Sequence, residues 1–180
     1  MELWDVYDRE RMRTGKTVPR GGPLLENEFH LSVHVCIFNS RGEMLIQQRQ
    51  PFKEDWPSMW DFSAGGCSVA GETSAQAVQR ELFEELGIKA DFSAQRPSFT
   101  INFRRGFDDY YIMNEEIDIR QLCLQPEEVL GVKWAKKEEI LSLIREEKFI
   151  PYIPGLVEMI FDIRDFPGAR DDAKKPEYHK

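Results

Sequence analysis

The sequence predicts an α/β fold: a mixed β-sheet with helices packed on it. Three observations lead there. Short runs rich in Val, Ile and aromatic residues read as strands, amphipathic stretches at 73–86, 136–147 and 155–163 read as helices, and the two kinds show no regular βαβ alternation. A doubly wound parallel sheet requires that alternation.

Element by element, Leu3 to Tyr7 reads as a short strand, Asp8 to Gly15 as a turn, and Lys16 to Gly22 as a return strand or loop. Leu31 to Phe38 reads as a buried strand. The turn Asn39-Ser40-Arg41-Gly42 joins it to a strand over Glu43 to Gln48, a hairpin pattern. Pro51 to Trp60 is a loop holding two prolines and two tryptophans, and Gly65-Gly66 and Gly71 bracket a second, short loop. A helix follows over about Thr73 to Leu86, with Gly87 as its stop. Pro97 to Phe103, Tyr110 to Ile119 and Val132 to Ala135 read as further strands.

With 180 residues, one domain over 1–180 is expected, with 1–28 as an N-terminal extension and the polar stretch 168–180 as a frayed tail. The 24 basic and 32 acidic residues leave a net charge of −8, which lacks the footprint of a nucleic-acid polymer binder. Three cysteines, Cys36, Cys67 and Cys123, make neither a disulfide framework nor a zinc knuckle, which points to a reducing, cytoplasmic setting. No apolar run approaches the length of a membrane span, and the N-terminus does not have the basic-then-apolar order of a signal peptide. No membrane partner is therefore expected.

The most informative stretch is Gly66 to Ile88. At about 100° per residue, Glu84 falls near 300° and Glu85 near 40° relative to Glu81. Ala75, Val78, Leu82 and Leu86 fall at roughly 60° to 140°, so the three carboxylates lie beside the apolar stripe rather than opposite it. Like charges one turn apart repel, more so near a core edge. A hard divalent cation such as Mg²⁺ removes the conflict and binds phosphate oxygens with its remaining positions. Arg80 falls beside Glu84 and is placed to pair with an acid such as Glu72, holding the helix to the preceding loop.

The spacing Gly66, five residues, Glu72, seven residues, Arg80-Glu81-Leu82, one residue, Glu84-Glu85, one residue, Gly87-Ile88 resembles the Nudix box of the Nudix hydrolase superfamily, without a gap. The resemblance implies an α/β/α sandwich with a mixed sheet and a loop–helix–loop site for Mg²⁺ or Mn²⁺. It implies Glu81, Glu84 and Glu85 as metal ligands, one of them polarising water, with Glu72 and Arg80 in support and a backbone carbonyl from Gly66. The implied reaction is hydrolysis of a diphosphate linkage in a small nucleoside-diphosphate-type substrate. The likeness extends to the isopentenyl-diphosphate isomerase branch through Phe29-His30-Leu31, the strand ending Gln47-Gln48-Arg49, and the Lys53…Trp56-Pro57…Trp60 loop. It implies Arg49 and Lys53 as substrate-diphosphate ligands.

The isomerase reaction needs a cysteine where this chain has Gly65, and a metal histidine where it has Cys67. Only His30 matches the isomerase histidines, so the residues favour a hydrolase, with the isomerase as the alternative. Cys67 reads as a small packing residue, Asp108-Asp109 as exposed turn residues with a catalytic role as the minor alternative, and Glu127-Glu128 as an acidic turn that could touch metal or water. His34 reads as exposed or satisfied rather than as a ligand. Trp56, Trp60, Phe99, Phe103 and Tyr111 are candidates to stack on a base, with core packing as their default. Oligomeric state is open at this point.

Overall fold

The computed structural model describes residues 2–165, Gly168 and Arg170. Most of the expected tail at 168–180 therefore lies outside the described residues. Strands β1 (Leu3–Tyr7) and β2 (Arg13–Pro19) form an antiparallel hairpin of their own. The remaining strands form one mixed seven-stranded sheet. Its centre is β3 (His30–Phe38), parallel to β8 (Gly106–Asn114) and antiparallel to β6 (Ala64–Cys67), with β7 (Phe99–Phe103) beyond β8. Strand β4 (Met44–Arg49) pairs with β5 (Trp60–Asp61) and β9 (Val129–Ala135).

The period-two alternation of β3 and β4 divides their side chains between two faces. Val33, Val35, Ile37 and Leu45 pack against Ala77, Val78, Leu82 and Leu86 of α1 (Ser74–Leu86). Cys36, Phe38, Met44 and Ile46 pack against Ile140 of α2 (Lys137–Arg145) and Leu156, Val157, Ile160 and Phe161 of α3 (Pro154–Ile163). Helices thus cover both faces, and the fold is the expected α/β/α sandwich.

The β3–β4 hairpin pairs only at its base, Phe38 with Met44. Beyond that point the strands diverge, and Ser63 spans the opening. Its hydroxyl accepts from the Ile37 N–H (2.9 Å) and donates to the Leu45 carbonyl (2.6 Å), fully buried. Ser63→Ala is expected to cost about 1–3 kcal/mol, because it leaves a buried donor and acceptor unpaired. Urea unfolding reads this out, and an unchanged midpoint would refute the stitching role.

Three local expectations are corrected. The bracketing Gly65-Gly66 lie in strand β6, and the short loop starts after Cys67; glycine there permits close approach to β3, since a Cβ at Gly65 would sit 2.7 Å from the Val33 carbonyl oxygen. The return strand starts at Arg13, inside the expected turn. Strand β8 starts at Gly106 and ends at Asn114, so Asp108-Asp109 lie within a strand rather than in an exposed turn, and a 3₁₀ turn occupies Ile119–Gln121.

The N-terminal hairpin is docked, not loose. The Ala70 N–H donates to the Leu3 carbonyl (2.7 Å), the Gly71 N–H to Asp5 (2.8 Å), and Arg13 to the Glu72 carbonyl. The Trp4 ring stacks on His30 at 4.3 Å. Arg11 pairs with fully buried Asp109, which also accepts from Ser74 (2.5 Å) and Thr100 (2.6 Å). One carboxylate therefore joins the hairpin, the first turn of α1, β7 and β8.

Candidate active site

Helix α1 is set by local chemistry at both ends. Thr73 and Gln76 form a capping box: the Thr73 hydroxyl accepts from the Gln76 N–H, and the Gln76 side chain accepts from the Thr73 N–H. Gly87 ends the helix in the left-handed region at φ 72°, where its N–H returns to the Phe83 carbonyl. Between these ends the helix buries Glu81 and Glu85 together with its apolar stripe, at 8% and 4% exposure. The carboxylates do lie at the edge of the core, as the helical wheel predicts.

Each acid has a distinct environment. Glu85 Oε2 accepts from Gln47 Nε2 (2.8 Å) and from the Gly65 N–H (3.1 Å). Burial, and then the charge of Glu81, push its carboxyl well above the usual carboxylate range. Glu81 is also shifted up by burial, partly offset by Arg80. Glu84 is half exposed. The Arg80 guanidinium joins the group: Nη1 donates to Glu81 (2.9 Å) and Glu84 (3.0 Å), while Nε (2.8 Å) and Nη2 (3.0 Å) grip Glu72. Nη2 also reaches the Cys67 carbonyl at 3.1 Å. Burial opposes the arginine's charge, but Glu72 and Glu81 outweigh it and hold it protonated. The expected Arg80–Glu72 brace is present.

Gly66 stands directly against Glu81, and a Cβ there would collide with the carboxylate. Gly66, Arg80, Glu81, Glu84 and Glu85 are thus brought together. Among the described residues, no three His, Cys, Asp or Glu side chains converge in a metal-ligand arrangement, and Arg80 holds an oxygen of both Glu81 and Glu84.

The other candidates lie outside this cluster. Arg49 ends β4, two residues after Gln47, and its Nε and Nη2 donate to the Asp55 carbonyl at 3.1 and 3.0 Å. Lys53 pairs with Glu128 at 2.6 Å. The segment bearing Glu128 is tied to α1, since the Gln125 N–H donates to the Glu85 carbonyl (3.0 Å) and the Glu128 N–H to the Gln125 carbonyl (3.1 Å). Cys67 lies 3.7 Å from the Ser32 hydroxyl, and burial raises its thiol pKa. His34 stacks on Tyr110 at 4.8 Å and lies 3.6 Å from Asp108. Asp109 is a buried structural hub, which corrects its reading as an exposed turn acid.

Sequence reasoning missed Gln47 as the partner of Glu85 and Arg11 as the partner of Asp109. The available signal for Gln47 was a polar residue on the α1-facing side of a strand that is otherwise apolar, through Leu45.

Comparison with known proteins agrees with this geometry. Residues 28–153 match the family model of the NUDIX domain. An uncharacterised Nudix hydrolase of Listeria monocytogenes is 45% identical over 165 residues, covering 92% of this chain and 96% of its own length. An isopentenyl-diphosphate Delta-isomerase of Klebsiella pneumoniae is 30% identical, over 77% of this chain and 78% of its own. The crystal structure of DR0079 from Deinococcus radiodurans aligns with a TM-score of 0.70 at 25% identity, covering 88% of this chain and 97% of that one. Fold, intact box and relatives agree that this chain is a Nudix hydrolase.

Proposed function

We propose that the chain is a metal-dependent diphosphohydrolase that cleaves a diphosphate linkage in a small nucleoside-diphosphate-type substrate. The observation that carries this reading is the burial of Glu81 and Glu85 one turn apart, with Arg80 bonded to Glu81 and Glu84 but to neither oxygen of Glu85. Mg²⁺ or Mn²⁺ fits that donor set, because hard carboxylate oxygens in charge excess favour such a cation and Gly66 leaves the Glu81 carboxylate the space that a Cβ would fill. When bound, the metal supplies charge for the phosphate oxygens and lowers the pKa of a water.

The protein's own groups do the rest. Gln47 and the Gly65 N–H hold Glu85 in orientation, and Glu72 braces Arg80 beside Glu81 and Glu84; these three glutamates, Glu81, Glu84 and Glu85, would hold the metal once Arg80 releases the two it bonds, and one of them would take the proton from water. Arg49 and Lys53 take substrate phosphate, with Lys53 exchanging Glu128 for it. The net charge of −8 leaves recognition to these local groups and disfavours polymeric nucleic acid.

The isomerase reading is disfavoured at Gly65. A side chain there would also meet His34 Nδ1 at 2.8 Å, so the isomerase's cysteine is absent and has no room. A panel of nucleoside di- and triphosphates, nucleotide sugars, dinucleotides and isoprenoid diphosphates tests the choice, with phosphate release as readout. Hydrolysis that needs Mg²⁺ is expected. Isoprenoid rearrangement without phosphate release would overturn the reading.

A pH response follows. The folded-state pKa values of Glu81 and Glu85 are raised, so the folded chain binds more protons than the unfolded one, and their contribution to stability is lost as pH rises above about 4.5. Half-buried Asp61 is shifted the same way. Exposed acids such as Asp118, lowered to about 2, act in the opposite sense only at lower pH. Burial lowers the His30 imidazole, which acts in the opposite sense up to about pH 6.5, but three raised carboxyls stand against that one group. The metal-free protein is therefore expected to lose melting temperature as pH rises above about 4.5, with Mg²⁺ restoring it at neutral pH. Thermal scans with and without chelator measure this, and a flat profile that ignores Mg²⁺ would refute it.

A further inference from the structure

Of the five aromatic residues that the sequence offers for stacking on a base, four are committed elsewhere. Tyr111 is buried beside α1. Trp60 and Phe99 pack on the core of the opposite face, and Phe103 lies edge-on to His30. Trp56 alone is exposed, at 46%.

Its backbone is unusual too. Trp56 sits at φ +52° and Ser58 at φ +62°, a region that bulky residues rarely enter and that recurs at ligand clamps. The surrounding bonds enforce this shape. Arg49 holds the carbonyl of Asp55, just before Trp56, and Gln48 Nε2 holds the Ser58 carbonyl at 2.9 Å. Gln50 Nε2 bonds the Pro126 carbonyl at 2.9 Å, and the Gln50 N–H bonds the Glu128 carbonyl at 3.0 Å. The loop is thereby anchored to the segment that hangs from the Glu85 carbonyl. An exposed indole on a preformed loop that also carries Lys53, and whose Asp55 carbonyl is held by Arg49, matches a ligand that is planar at one end and anionic at the other.

From this we infer that Trp56 is the platform on which the nucleobase of the substrate stacks while Arg49 and Lys53 take its phosphates. The inference rests on the diphosphohydrolase reading. Stacking reads the face of a base rather than its edge, so the enzyme selects nucleosidic over aliphatic diphosphates with little preference among bases.

The test combines kinetics with binding. Trp56→Ala is expected to raise KM for a nucleoside diphosphate roughly five- to hundredfold with kcat retained, the range that loss of one base–aromatic stack gives. KM for an isoprenoid diphosphate should not move, and Trp56→Phe should stay near wild type. Titration with α,β-methylene-ADP should quench wild-type tryptophan fluorescence and leave Trp56→Phe unquenched at similar affinity. Equal KM changes for both substrates, or none, overturn the inference, as does unaltered quenching in Trp56→Phe. If the wild type cleaves no diphosphate yet the analogue quenches Trp56, the hydrolase reading fails and the stacking platform stands. If hydrolysis is robust and Trp56→Ala changes nothing, the platform fails alone.

Discussion

Replacing Glu85 by glutamine is expected to lower turnover of the identified diphosphate by roughly 10²- to 10⁴-fold, the range for removing a group that handles the reacting water. Stability should move the other way. The glutamine carbonyl oxygen can still accept from Gln47 and the Gly65 N–H, while the buried charge facing Glu81 disappears. The metal-free variant is therefore expected to melt at or above the wild-type temperature while losing its response to Mg²⁺. Retained turnover would sink the proposed mechanism. Loss of both turnover and fold would make Glu85 a packing residue instead.

Asp109→Ala carries the largest expected cost in stability, about 3–5 kcal/mol, as for breaking a buried ion pair by removing one partner. Against typical domain stabilities of about 5–15 kcal/mol, that is a large share. The deletion strands Arg11 and removes the acceptor for Ser74 and Thr100, releasing the N-terminal hairpin and loosening the first turn of α1. Arg11→Ala should cost a similar amount and the double variant less than the sum, because both remove one pair. Denaturant unfolding gives the energies, and limited proteolysis within residues 8–28 reports release of the hairpin. A midpoint close to wild type for Asp109→Ala would refute the hub.

What the sequence made legible follows from how local each cause is. Thr73, Gln76 and Gly87 set the ends of α1 within a few residues, and the helical wheel alone placed Glu81 and Glu85 beside the stripe of Val78 and Leu82. Arg80 and Glu72 are eight positions apart, so their pairing was also visible. Longer-range causes were hidden. Gly65-Gly66 looks like the edge of a loop by propensity and lies in a strand only because β3 and Glu81 need the space a Cβ would take. Asp108-Asp109 looks like a turn until Arg11, 98 positions away, neutralises Asp109 inside the sheet. The pairing of Lys53 with Glu128, across 75 positions, was invisible for the same reason.

The single hydroxyl across the mouth of the β3–β4 opening bears on how the molecule breathes. Two neighbouring strands usually share a ladder of amide bonds and exchange their backbone protons as one block. Here β4 and β3 pack in the same core clusters, but the hydrogen bonding between the β4–β5–β9 half and the β3 half of the sheet reduces to the pairing at the hairpin base and Ser63. Native-state hydrogen exchange should therefore resolve two cooperative units, with the Ile37 amide reporting the boundary between them. That boundary runs beside Gln47, so the lowest-energy opening of the sheet would also release Glu85 from its orienting partner.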